Sequence, residues 1–402
     1  MVKCVILAAG EGKRMHPLTY TKPKVMLPIA NKPIIEYNLL NAIKAGIKEI
    51  IFVVGYKSEM VRNYFGNGEK YKVKIEYVNQ GEPQGTAQAI GVAEKFVDDF
   101  IVLSGDTIFG EDDIKNMLKN KNSIGLFKVE NPQEYGIVET KDNKVLKIYE
   151  KTKEPFTNII NAGVYHFDKK VFDYIKKTNK SSRGEYEITD TINMMAKKSI
   201  VSTVILKEWQ DVVYPWHLLD ANEEVLKKIG KKIDGTIEKK STIKGKVVIG
   251  KNTVVMNGSY IEGPVIIGKN CKIGPNCYIR PYTSIGDGCH IGNACEVKNS
   301  IIMNNSNAPH QNYVGDSVIG ENCNLGSGCK VANLRLDKKN ISVVLNDIKI
   351  DTKRRKLGVI IGDNTQTGIN STINVGSIVG NNVFAGPGAN VKGNIASFSK
   401  IM

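Results

Sequence analysis

The carboxyl-terminal half of the chain carries an aliphatic residue at every sixth position, a period that fits neither an amphipathic helix nor a single strand. The unbroken series is Ile237, Ile243, Ile249, Val255, Ile261, Ile267, Ile273, Ile279, Ile285, Ile291 and Val297. Stacked coils of a parallel β-helix bury one such side chain on each flat side, and each coil covers its neighbours. The spacing therefore predicts a β-helix over residues 233–402.

Two segments, 298–318 and 334–358, interrupt this period. The pattern returns at Ile319, Leu325 and Val331 after the first segment, and again from Ile361 to Val391 after the second. Insertions in a solenoid project from one edge and often build the binding site. We therefore expect both segments to leave the stack of coils and to contribute to a site.

Six of the seven cysteines share one slot, four residues after a hexad aliphatic residue, which Ser or Thr fills elsewhere. They are Cys271, Cys277, Cys289, Cys295, Cys323 and Cys329. The chain has no C-x-x-C spacing of the kind that binds zinc. The pattern favours small, half-buried corner residues with reduced thiols, as expected in a cytosol.

The amino-terminal half alternates predicted strands with predicted helices. Strands are predicted at 2–7, 49–54, 74–79 and 100–104, a hairpin at 136–149, and helices at 33–45, 57–65, 86–97, 168–177, 187–198 and 216–230. Such alternation indicates βαβ units and a mostly parallel sheet. We predict a Rossmann-like α/β domain over residues 1–232, followed by the β-helix.

The chain is basic, with 56 Lys and Arg against 41 Asp and Glu, and the excess is concentrated in the β-helix. The net charge is +5 over residues 1–235 and +10 over residues 236–402. Aromatic residues are sparse there, so a small polyanion is expected and a nucleic-acid partner is not. No apolar run is long enough to span a bilayer and no secretory signal is present, which predicts a cytoplasmic protein without membrane contact.

The loop after the first strand, residues 8–15, holds small residues and two cations, Lys13 and Arg14. In open α/β sheets ligands bind at the carboxyl ends of strands, and such a loop suits the approach of phosphates. A plain tight turn explains this loop equally well, because it lacks both the dinucleotide and the P-loop glycine spacing. Taken alone, Asp106 is explained as a helix cap and Asp211 as a surface charge.

A longer set of residues resembles the sugar-1-phosphate nucleotidylyltransferases over almost all of residues 1–232. The matching strings are Leu7-Ala8-Ala9-Gly10-x-Gly12-x-Arg14-Met15, Pro23-Lys24-x-Met26-Leu27-Pro28, Gln80 with Gly85-Thr86, Gly105-Asp106, Glu134-Tyr135-Gly136, Glu150-Lys151, Asn161-Ala162-Gly163 and Asp211. Lys13 stands where the family usually has Thr. The resemblance implies a metal-dependent transfer of a nucleotidyl group to a sugar phosphate, without a covalent intermediate.

The same resemblance implies a role for each residue. Arg14 and Lys24 would be catalytic and hold phosphate oxygens; Leu7, Ala9, Gly10, Gln80, Gly85 and Thr86 would bind the nucleotide; Gly136, Glu150 and Asn161 would bind the sugar; Asp106 and Asp211 would ligate Mg²⁺.

The β-helix carries a second set, Arg280, Lys298, His310, Tyr313, Asn324 and Asn333. It resembles the acetyltransferase site of the bifunctional N-acetylglucosamine-1-phosphate uridylyltransferase/glucosamine-1-phosphate acetyltransferases, especially their archaeal branch. By that resemblance His310 would be the general base of acetyl transfer from acetyl-CoA. Arg280 and Lys298 would grip the sugar phosphate, Tyr313 and Asn324 would orient the amino sugar, and Asn333, Gly386 and Pro387 would line the coenzyme's path. A homotrimer with sites between subunits is also implied.

The expected activity is bifunctional. The β-helix would acetylate glucosamine-1-phosphate, and the α/β domain would join the product to UTP with release of pyrophosphate. One alternative is a monofunctional nucleotidyltransferase that makes UDP- or dTDP-glucose and has a structural β-helix. Another is a regulatory subunit without catalysis, like those of translation-factor exchange complexes. The choice between UTP and dTTP, and between glucosamine and galactosamine, stays open.

Overall fold

The computed structural model describes residues 2–152, 154–345 and 348–402, and the chain divides into two compact units. The first unit consists of the chain up to Glu11, Pro23–Met26 and Pro33–Asp211. The second consists of Gly12–Lys22, Leu27–Lys32 and Val212–Met402. Each unit is described by itself.

Strands and helices alternate through the amino-terminal part of the chain. The strands are β1 Lys3–Ala8, β2 Pro28–Ile29, β3 Lys32–Pro33, β4 Glu49–Val54, β5 Lys74–Asn79, β6 Asp99–Ser104, β7 Thr107–Phe109, β8 Ser123–Lys128, β9 Gly136–Lys141, β10 Lys144–Glu150, β11 Ile159–Asp168, β12 Ser202–Ile205 and β13 Trp209–Asp211. The helices are α1 Ile34–Lys44, α2 Ser58–Phe65, α3 Thr86–Gly91, α4 Glu111–Leu118, α5 Val171–Ile175, α6 Ile188–Ala196 and α7 His217–Lys227.

The main sheet of the first unit has the order β5-β4-β1-β6-β11-β8-β12-β10-β9 and is mixed. Strands β5, β4, β1 and β6 are parallel, as the alternating pattern predicts. Strand β11 runs antiparallel to both β6 and β8, and β9 and β10 form the predicted hairpin. The expectation of a mostly parallel sheet is therefore right for the first four strands and for β12 beside β8, whereas the pairs made by β11 and by β10 are antiparallel.

Both faces of this sheet are buried. Successive residues of β1 point to opposite sides, so Cys4 and Ile6 join one apolar cluster while Val5 joins another. Strands covered on both faces read as continuous apolar runs, which is why they are recognisable in the sequence. The predicted helix over 86–97 is shorter than expected: α3 ends at Gly91 and a separate 3-10 turn covers Glu94–Phe96. Glycine is a poor helix former, which explains the early end.

The helices of the described residues are short. The two longest, α1 and α7, have 11 residues each. A bilayer-spanning helix needs about 20 apolar residues. Within the described part of the chain no helix is long and apolar enough to cross a membrane.

The second unit is built on three parallel sheets that form the sides of a prism, consistent with a left-handed β-helix. Face 1 contains Lys232–Ile233, Val247–Ile249, Val265–Ile267, Thr283–Ile285, Ile301–Ile302, Val318–Ile319, Val359–Ile361, Ser377–Val379 and Asn394–Ile395. Face 2 contains Thr236–Ile237, Val254–Val255, Lys272–Ile273, His290–Asn293, Asn307–His310, Asn324–Leu325, Gln366–Thr367, Phe384–Ala385 and Lys400–Ile401. Face 3 contains Thr242–Lys244, Tyr260–Glu262, Tyr278–Ile279, Glu296–Lys298, Tyr313–Gly315, Lys330–Val331, Thr372–Ile373 and Asn390–Val391.

Segment 298–318 stays inside the stack, so its prediction as a projecting insertion is wrong. Ile267 pairs with Ile285 in the next coil, and Ile285 pairs with Ile302 in the coil after that. The second pair is separated by one residue fewer along the chain than the first. A side that is shortened by one residue shifts the hexad phase while the next aliphatic residue, Ile302, remains buried in the core. Ile302 in turn pairs with Ile319, again one residue fewer, so the apparent break in the sequence consists of two successive shorter coils.

Segment 334–358 does leave the stack, as the sequence predicts. Val318 pairs with Ile360, and the intervening chain forms a two-stranded antiparallel hairpin of Ser342–Leu345 with Ile348–Asp351. Residues 346 and 347 of this predicted insertion lie outside the described residues.

The cysteine slot is a buried corner of each coil. The Sγ atoms of Cys271, Cys289 and Cys295 donate to main-chain carbonyls of the next coil, at 3.1, 3.1 and 3.0 Å. All seven cysteines are free thiols and are buried rather than half-buried. The prediction of small, reduced corner residues is confirmed.

The second unit also includes two segments from the amino-terminal part of the chain. Lys22 is 3% exposed and its ammonium group pairs with Asp363 at 3.0 Å and with Glu321 at 3.3 Å. Thr21 donates to the same Asp363 carboxylate at 2.6 Å. A buried cation needs such partners, because burial of an unpaired charge is costly. The hexad strands begin at Lys232–Ile233, and the domain boundary at residue 232 remains a prediction.

The stacked aliphatic residues dictate a stability test. Ile291→Ala, at a fully buried hexad position, should lower the free energy of unfolding by about 2–5 kcal/mol because it leaves a cavity in the prism core. Ile369→Ala in the same unit is the matched control, since Ile369 is 55% exposed. Denaturant unfolding measures both changes; an equal effect of the two substitutions would contradict the buried-core assignment.

Candidate active sites

The four parallel strands of the first unit end at one edge of the sheet, which collects many of the predicted nucleotide-site residues. Gly10 follows β1, Gln80 follows β5, and Asp106 follows β6. Parallel strands present their carboxyl ends at the same edge, where ligands of open α/β sheets bind. The sequence prediction of a site at this edge agrees with the position of these three residues.

The loop after β1 offers an open stretch of backbone. The carbonyl of Ala9 accepts a hydrogen bond from the amide of Tyr56 at 3.1 Å, which fixes this end of the loop against the chain after β4. Gly10 is exposed, and a Cβ atom placed on it would meet nothing within 4 Å. Leu7, at the end of β1, is half-buried. The first part of the loop is therefore fixed by a hydrogen bond, and the exposed backbone at Gly10 leaves room for a planar group to pack against it.

The amide of Gln80 is held in one orientation. Gln80 is 8% exposed, and its Nε2 donates to Oε1 of Gln88 at 2.6 Å. In return, Nε2 of Gln88 donates to the carbonyl of Gln80 at 2.8 Å. Gln88 lies on α3 and was not predicted as part of the site. In the sequence, only its place in the helical turn that follows Gly85 and Thr86 could have indicated it.

Gly85 sits in a conformation and a space that exclude a side chain. Its φ is +120°, and a Cβ atom would lie 2.5 Å from the carbonyl oxygen of Tyr186. That carbonyl accepts the amide of Ala87 at 2.8 Å. Next to it, the hydroxyl of Thr86 accepts the amide of Ile188 at 2.9 Å. The start of α3 is thus tied by its backbone to the chain before α6, contacts for which the sequence gives no signal.

The predicted metal ligands lie at adjoining positions, since Asp106 immediately precedes β7 and Asp211 ends β13, which pairs with β7. The ammonium group of Lys24 is 2.6 Å from Oδ2 of Asp106. Asp211, on β13, pairs with Thr107, the residue that follows Asp106. Oδ1 of Asp211 accepts the hydroxyl of Thr107 at 3.4 Å. The structure therefore brings Lys24, Asp106 and Asp211 to one place, although 82 residues separate the first two in the chain.

This donor set fits Mg²⁺ only as a partly filled coordination shell. Two carboxylates, from Asp106 and Asp211, come from adjoining positions, and within the described residues no group of three or more His, Cys, Asp or Glu side chains is placed to hold a metal. Mg²⁺ commonly binds through one or two carboxylates and completes its shell with water and substrate phosphates. The two aspartates suit that mode.

The predicted sugar-binding residues meet where β9, β10 and β11 adjoin. Gly136 pairs with Glu150 across the hairpin, and a Cβ atom on Gly136 would lie 3.1 Å from a carboxylate oxygen of Glu150. Asn161 follows Ile160, which pairs with Ile137. The structure thus brings together three residues that the sequence spreads over 136–161.

Asn161 is oriented by its neighbours. Its Nδ2 donates to the hydroxyl of Tyr165 at 2.8 Å, and its Oδ1 accepts the amide of Gly163 at 3.3 Å. Burial raises the pKa of Tyr165, so this hydroxyl stays protonated. Tyr165 was not predicted; it is the fourth residue after Asn161, and only the bulge in β11 brings the two side chains together.

Arg14 belongs to the second compact unit, whereas Lys24 and Asp106 belong to the first. It lies in a short 3-10 turn over Lys13–Met15 and is exposed. The turn is closed by the amide of Met15, which donates to the carbonyl of Gly12 at 2.8 Å. Its predicted role in phosphate binding remains a prediction.

On face 3 of the β-helix, two predicted phosphate ligands occupy adjacent coils. Ile279 pairs with Val297, so Arg280 and Lys298 follow at equivalent positions, about 4.8 Å apart along the stack. Arg280 donates to Glu296 at 2.8 Å, and this hydrogen bond raises the pKa of Arg280. The two cations lie in line along the face, and each is paired with a carboxylate.

Above Lys298 lies a polar cluster around a buried carboxylate, Asp316. Asp316 is 3% exposed, and it accepts hydrogen bonds from Lys298 at 3.2 Å, from Asn299 at 2.8 Å and from Asn333 at 2.5 Å. Asn333 also donates to the hydroxyl of Tyr313 at 3.2 Å. Sequence reasoning assigned no role to Asp316, although it lies only three residues after Tyr313 in the chain. It assigned none to Asn299 either.

His310 and Asn324 lie on face 2, next to the corner that leads to face 3. His310 ends the strand Asn307–His310, is exposed, and is three residues before Tyr313. Asn324 pairs with Asn307 in the next coil. Burial, together with the nearby Lys272 and His310, lowers the pKa of His290, so this neighbour is neutral near pH 7. His310 is thus an exposed imidazole three residues before Tyr313, which belongs to the cluster.

Asn333 also borders a hollow on face 3 of about 510 Å³. Its lining includes Tyr313, Leu334, Asn374 and Asn390. Gly386 and Pro387 are outside this hollow: they follow the face 2 strand Phe384–Ala385, two coils beyond Asn324. The structure therefore places Asn333 with the sugar-phosphate residues and leaves Gly386 and Pro387 apart from them.

Comparison with protein families matches residues 3–228 to the nucleotidyl transferase family. Residues 261–353 match the GMPPB C-terminal domain. The first match contains all the predicted nucleotide, sugar and metal residues, and the second contains the polar cluster around Asp316 together with His310.

Curated relatives match along nearly the whole chain. "Bifunctional protein GlmU" of Methanocaldococcus jannaschii is 44% identical over 385 residues, which are 95% of this chain and 93% of the relative. The "Bifunctional sugar-1-phosphate nucleotidylyltransferase/acetyltransferase" of Sulfurisphaera tokodaii is 42% identical over 394 residues, 96% of each chain.

Among solved structures, a putative glucose-1-phosphate thymidylyltransferase from Bacillus anthracis, in complex with a sucrose, is 31% identical. The match covers 58% of this chain and 98% of that chain, with a TM-score of 0.53. This structural likeness concerns one part of the chain, while the full-length relatives include both sites. The chain therefore belongs to the family of bifunctional sugar-1-phosphate nucleotidylyltransferase/acetyltransferases.

Proposed function

We propose that this enzyme makes UDP-N-acetylglucosamine in two steps at two separate sites. The β-helix acetylates glucosamine-1-phosphate with acetyl-CoA, and the α/β unit then couples N-acetylglucosamine-1-phosphate to UTP and releases pyrophosphate. The observation that carries this proposal is the cluster of Lys298, Asp316, Asn333 and Tyr313, with the exposed His310 three residues before Tyr313 in the chain. A β-helix that only supports the fold has no need for a buried carboxylate ringed by amides and an ammonium group.

Acetyl transfer requires a base for the amine and an anchor for the phosphate. His310 accepts the proton of the amino group while its nitrogen attacks the thioester carbonyl; the carbon–sulfur bond breaks and coenzyme A leaves as the thiol. Histidine is the side chain that most often serves as a general base. Arg280 and Lys298 attract the phosphate, and Tyr313 and Asn324 orient the amino sugar. Asn333, Gly386 and Pro387 are proposed along the path of the coenzyme.

Uridylyl transfer depends on position and charge. An oxygen of the sugar phosphate attacks the α-phosphorus of UTP in line, and the bond to pyrophosphate breaks. Lys24 and Arg14 neutralise phosphate oxygens, which is the main catalytic contribution a protein makes in such a reaction. Leu7, Ala9, Gly10, Gln80, Gly85 and Thr86 bind the nucleotide, and Gly136, Glu150 and Asn161 bind the sugar.

Asp106 and Asp211 would hold Mg²⁺, which supplies charge stabilisation on the phosphates when it is bound. The contact of Lys24 with Asp106 supports this proposal, because it places the carboxylate next to a residue that is proposed to bind phosphate. The proposed assembly is a homotrimer, by resemblance to other enzymes of this type. The free cysteines fit a reducing compartment, and the proposed location is the cytoplasm.

Substituting Asp106 should separate the two activities. Asp106→Asn should reduce pyrophosphate release at least about a hundredfold, because the loss of about 3 kcal/mol of charge stabilisation has that effect. Release of free thiol from acetyl-CoA should stay unchanged. Purified protein with glucosamine-1-phosphate, acetyl-CoA, UTP and Mg²⁺ allows both products to be followed. Asp112→Asn, an exposed carboxylate on α4, should change neither rate.

The reverse separation is expected for His310. His310→Ala should lower thiol release by about 10²–10⁴-fold, the usual contribution of a general base. Pyrophosphate release with N-acetylglucosamine-1-phosphate and UTP should remain at the wild-type rate. His290→Ala, on the neighbouring coil of face 2, is the control and should retain acetyl transfer. Loss of both products in either folded active-site variant would refute a two-site enzyme.

A further inference from the structure

We infer that Asp316 is a positioning residue for hexosamine-1-phosphate binding, acting through Lys298, Asn333 and Tyr313. This inference rests on the proposed acetyl transfer and adds a residue to it. The register of face 3 brings the group together: Lys298 pairs with Gly315, and Tyr313 pairs with Lys330. Asn299, Asp316 and Asn333 therefore occupy the same corner of three successive coils, each seventeen residues from the next.

The carboxylate of Asp316 fixes Lys298 from the coil above it. Asp316 is 3% exposed and the side chain of Lys298 is 16% exposed, so water screens the pair only weakly. One of the three protons of the ammonium group is directed at Oδ2 of Asp316. The remaining two point elsewhere and are available to a phosphate. Asp316 thereby sets the direction in which Lys298 presents its charge.

The same carboxylate decides which way the amide of Asn333 faces. An ionised carboxylate only accepts hydrogen bonds, so the atom of Asn333 that lies 2.5 Å from it must be the NH₂ nitrogen. That nitrogen has a second proton, which it donates to the hydroxyl of Tyr313 at 3.2 Å. Because this hydroxyl oxygen accepts from Asn333, its own proton is free to be donated to the substrate. Asp316 thus orients Tyr313 as a donor.

The backbone below the amide is shaped for this contact. A Cβ atom at Gly315 would lie 2.7 Å from Nδ2 of Asn333 and 2.7 Å from the hydroxyl of Tyr313. Any side chain there would separate Asn333 from Tyr313. Gly315 and Asp316 therefore serve the same arrangement. In it, Asp316 accepts a hydrogen bond from Lys298 directly and orients the hydroxyl of Tyr313 through Asn333.

Asp316→Asn tests the inference in the full-length enzyme. The variant has nearly the same shape, but it lacks the negative charge that holds Lys298 and has one acceptor oxygen for the donors that the two oxygens of Asp316 share. The KM for glucosamine-1-phosphate in the thiol-release assay should rise at least about tenfold, while kcat and the KM for acetyl-CoA change little, since binding of the acceptor is what is lost. Pyrophosphate release should be unaffected.

Asn299→Gly is the matched control. It also removes one hydrogen bond to Asp316, on the Oδ1 side, away from Lys298 and Asn333. Asn299 has a φ of +44°, which glycine adopts without strain. We expect a lower melting temperature and an unchanged KM. An equal rise in KM for both variants, or an Asp316→Asn enzyme with a KM within about twofold of the wild type, would overturn the inference.

Asn333→Ala provides a second test that leaves the buried carboxylate and its lysine intact. If Asp316 orients the hydroxyl of Tyr313 through Asn333, the KM for glucosamine-1-phosphate should rise. If Asn333 instead serves the coenzyme alone, the KM for acetyl-CoA should rise and this role of Asn333 is refuted. A wild-type enzyme that releases no thiol with any hexosamine-1-phosphate would refute the proposed acetyl transfer itself, an outcome distinct from both.

Discussion

The second unit depends on one constraint: each coil of the β-helix must place an aliphatic side chain inside each flat side. Val255, Ile273 and Ile291, from successive coils of face 2, are completely buried. Parallel pairing then fixes the register of every residue between them, because a strand that slipped by one position would turn its apolar side chains outward. The positions of polar residues on the outer surface follow from this internal register.

This register is what builds the acetyl-transfer site. Arg280 and Lys298 are eighteen residues apart in the sequence and occupy equivalent positions of adjacent coils. The coil that follows is one residue shorter, so Asp316 rather than its neighbour lies beside Asn299. When a coil loses one residue and the core stays intact, each surface residue after the shortening lies beside a different residue of the preceding coil, shifted by one position.

The α/β unit positions its groups by a different principle. Four parallel strands end at one edge, and the loops after them carry Gly10, Gln80 and Asp106. Other groups reach the site through antiparallel pairing, as Asp211 does beside Thr107. Close backbone contacts hold the loops in place, such as that between Gly85 and the carbonyl of Tyr186. Charge then does the chemistry: Lys24 and Asp106 pair at 2.6 Å where phosphates are expected.

The sequence alone determined the features that depend on periodicity or on local strings. The hexads predict the β-helix, the corner cysteines and the departure of segment 334–358 from the stack, because repeated burial leaves a repeated pattern. The first four strands are equally clear, since strands buried on both faces are continuously apolar. The residues proposed for both sites were identified through their resemblance to known families.

Only the tertiary structure decided the contacts between residues that no pattern links. Segment 298–318 reads as an insertion in the sequence but belongs to two successive shortened coils, since the core tolerates the loss of one corner residue from each. The pairing of Lys22 with Asp363 joins positions 341 residues apart. Asp316 gains its three donors because adjacent coils stack at about 4.8 Å, a distance that a linear sequence does not contain. Burial and hydrogen-bond partners are properties of the folded arrangement, so the sequence fixes which groups are present while folding decides which of them meet.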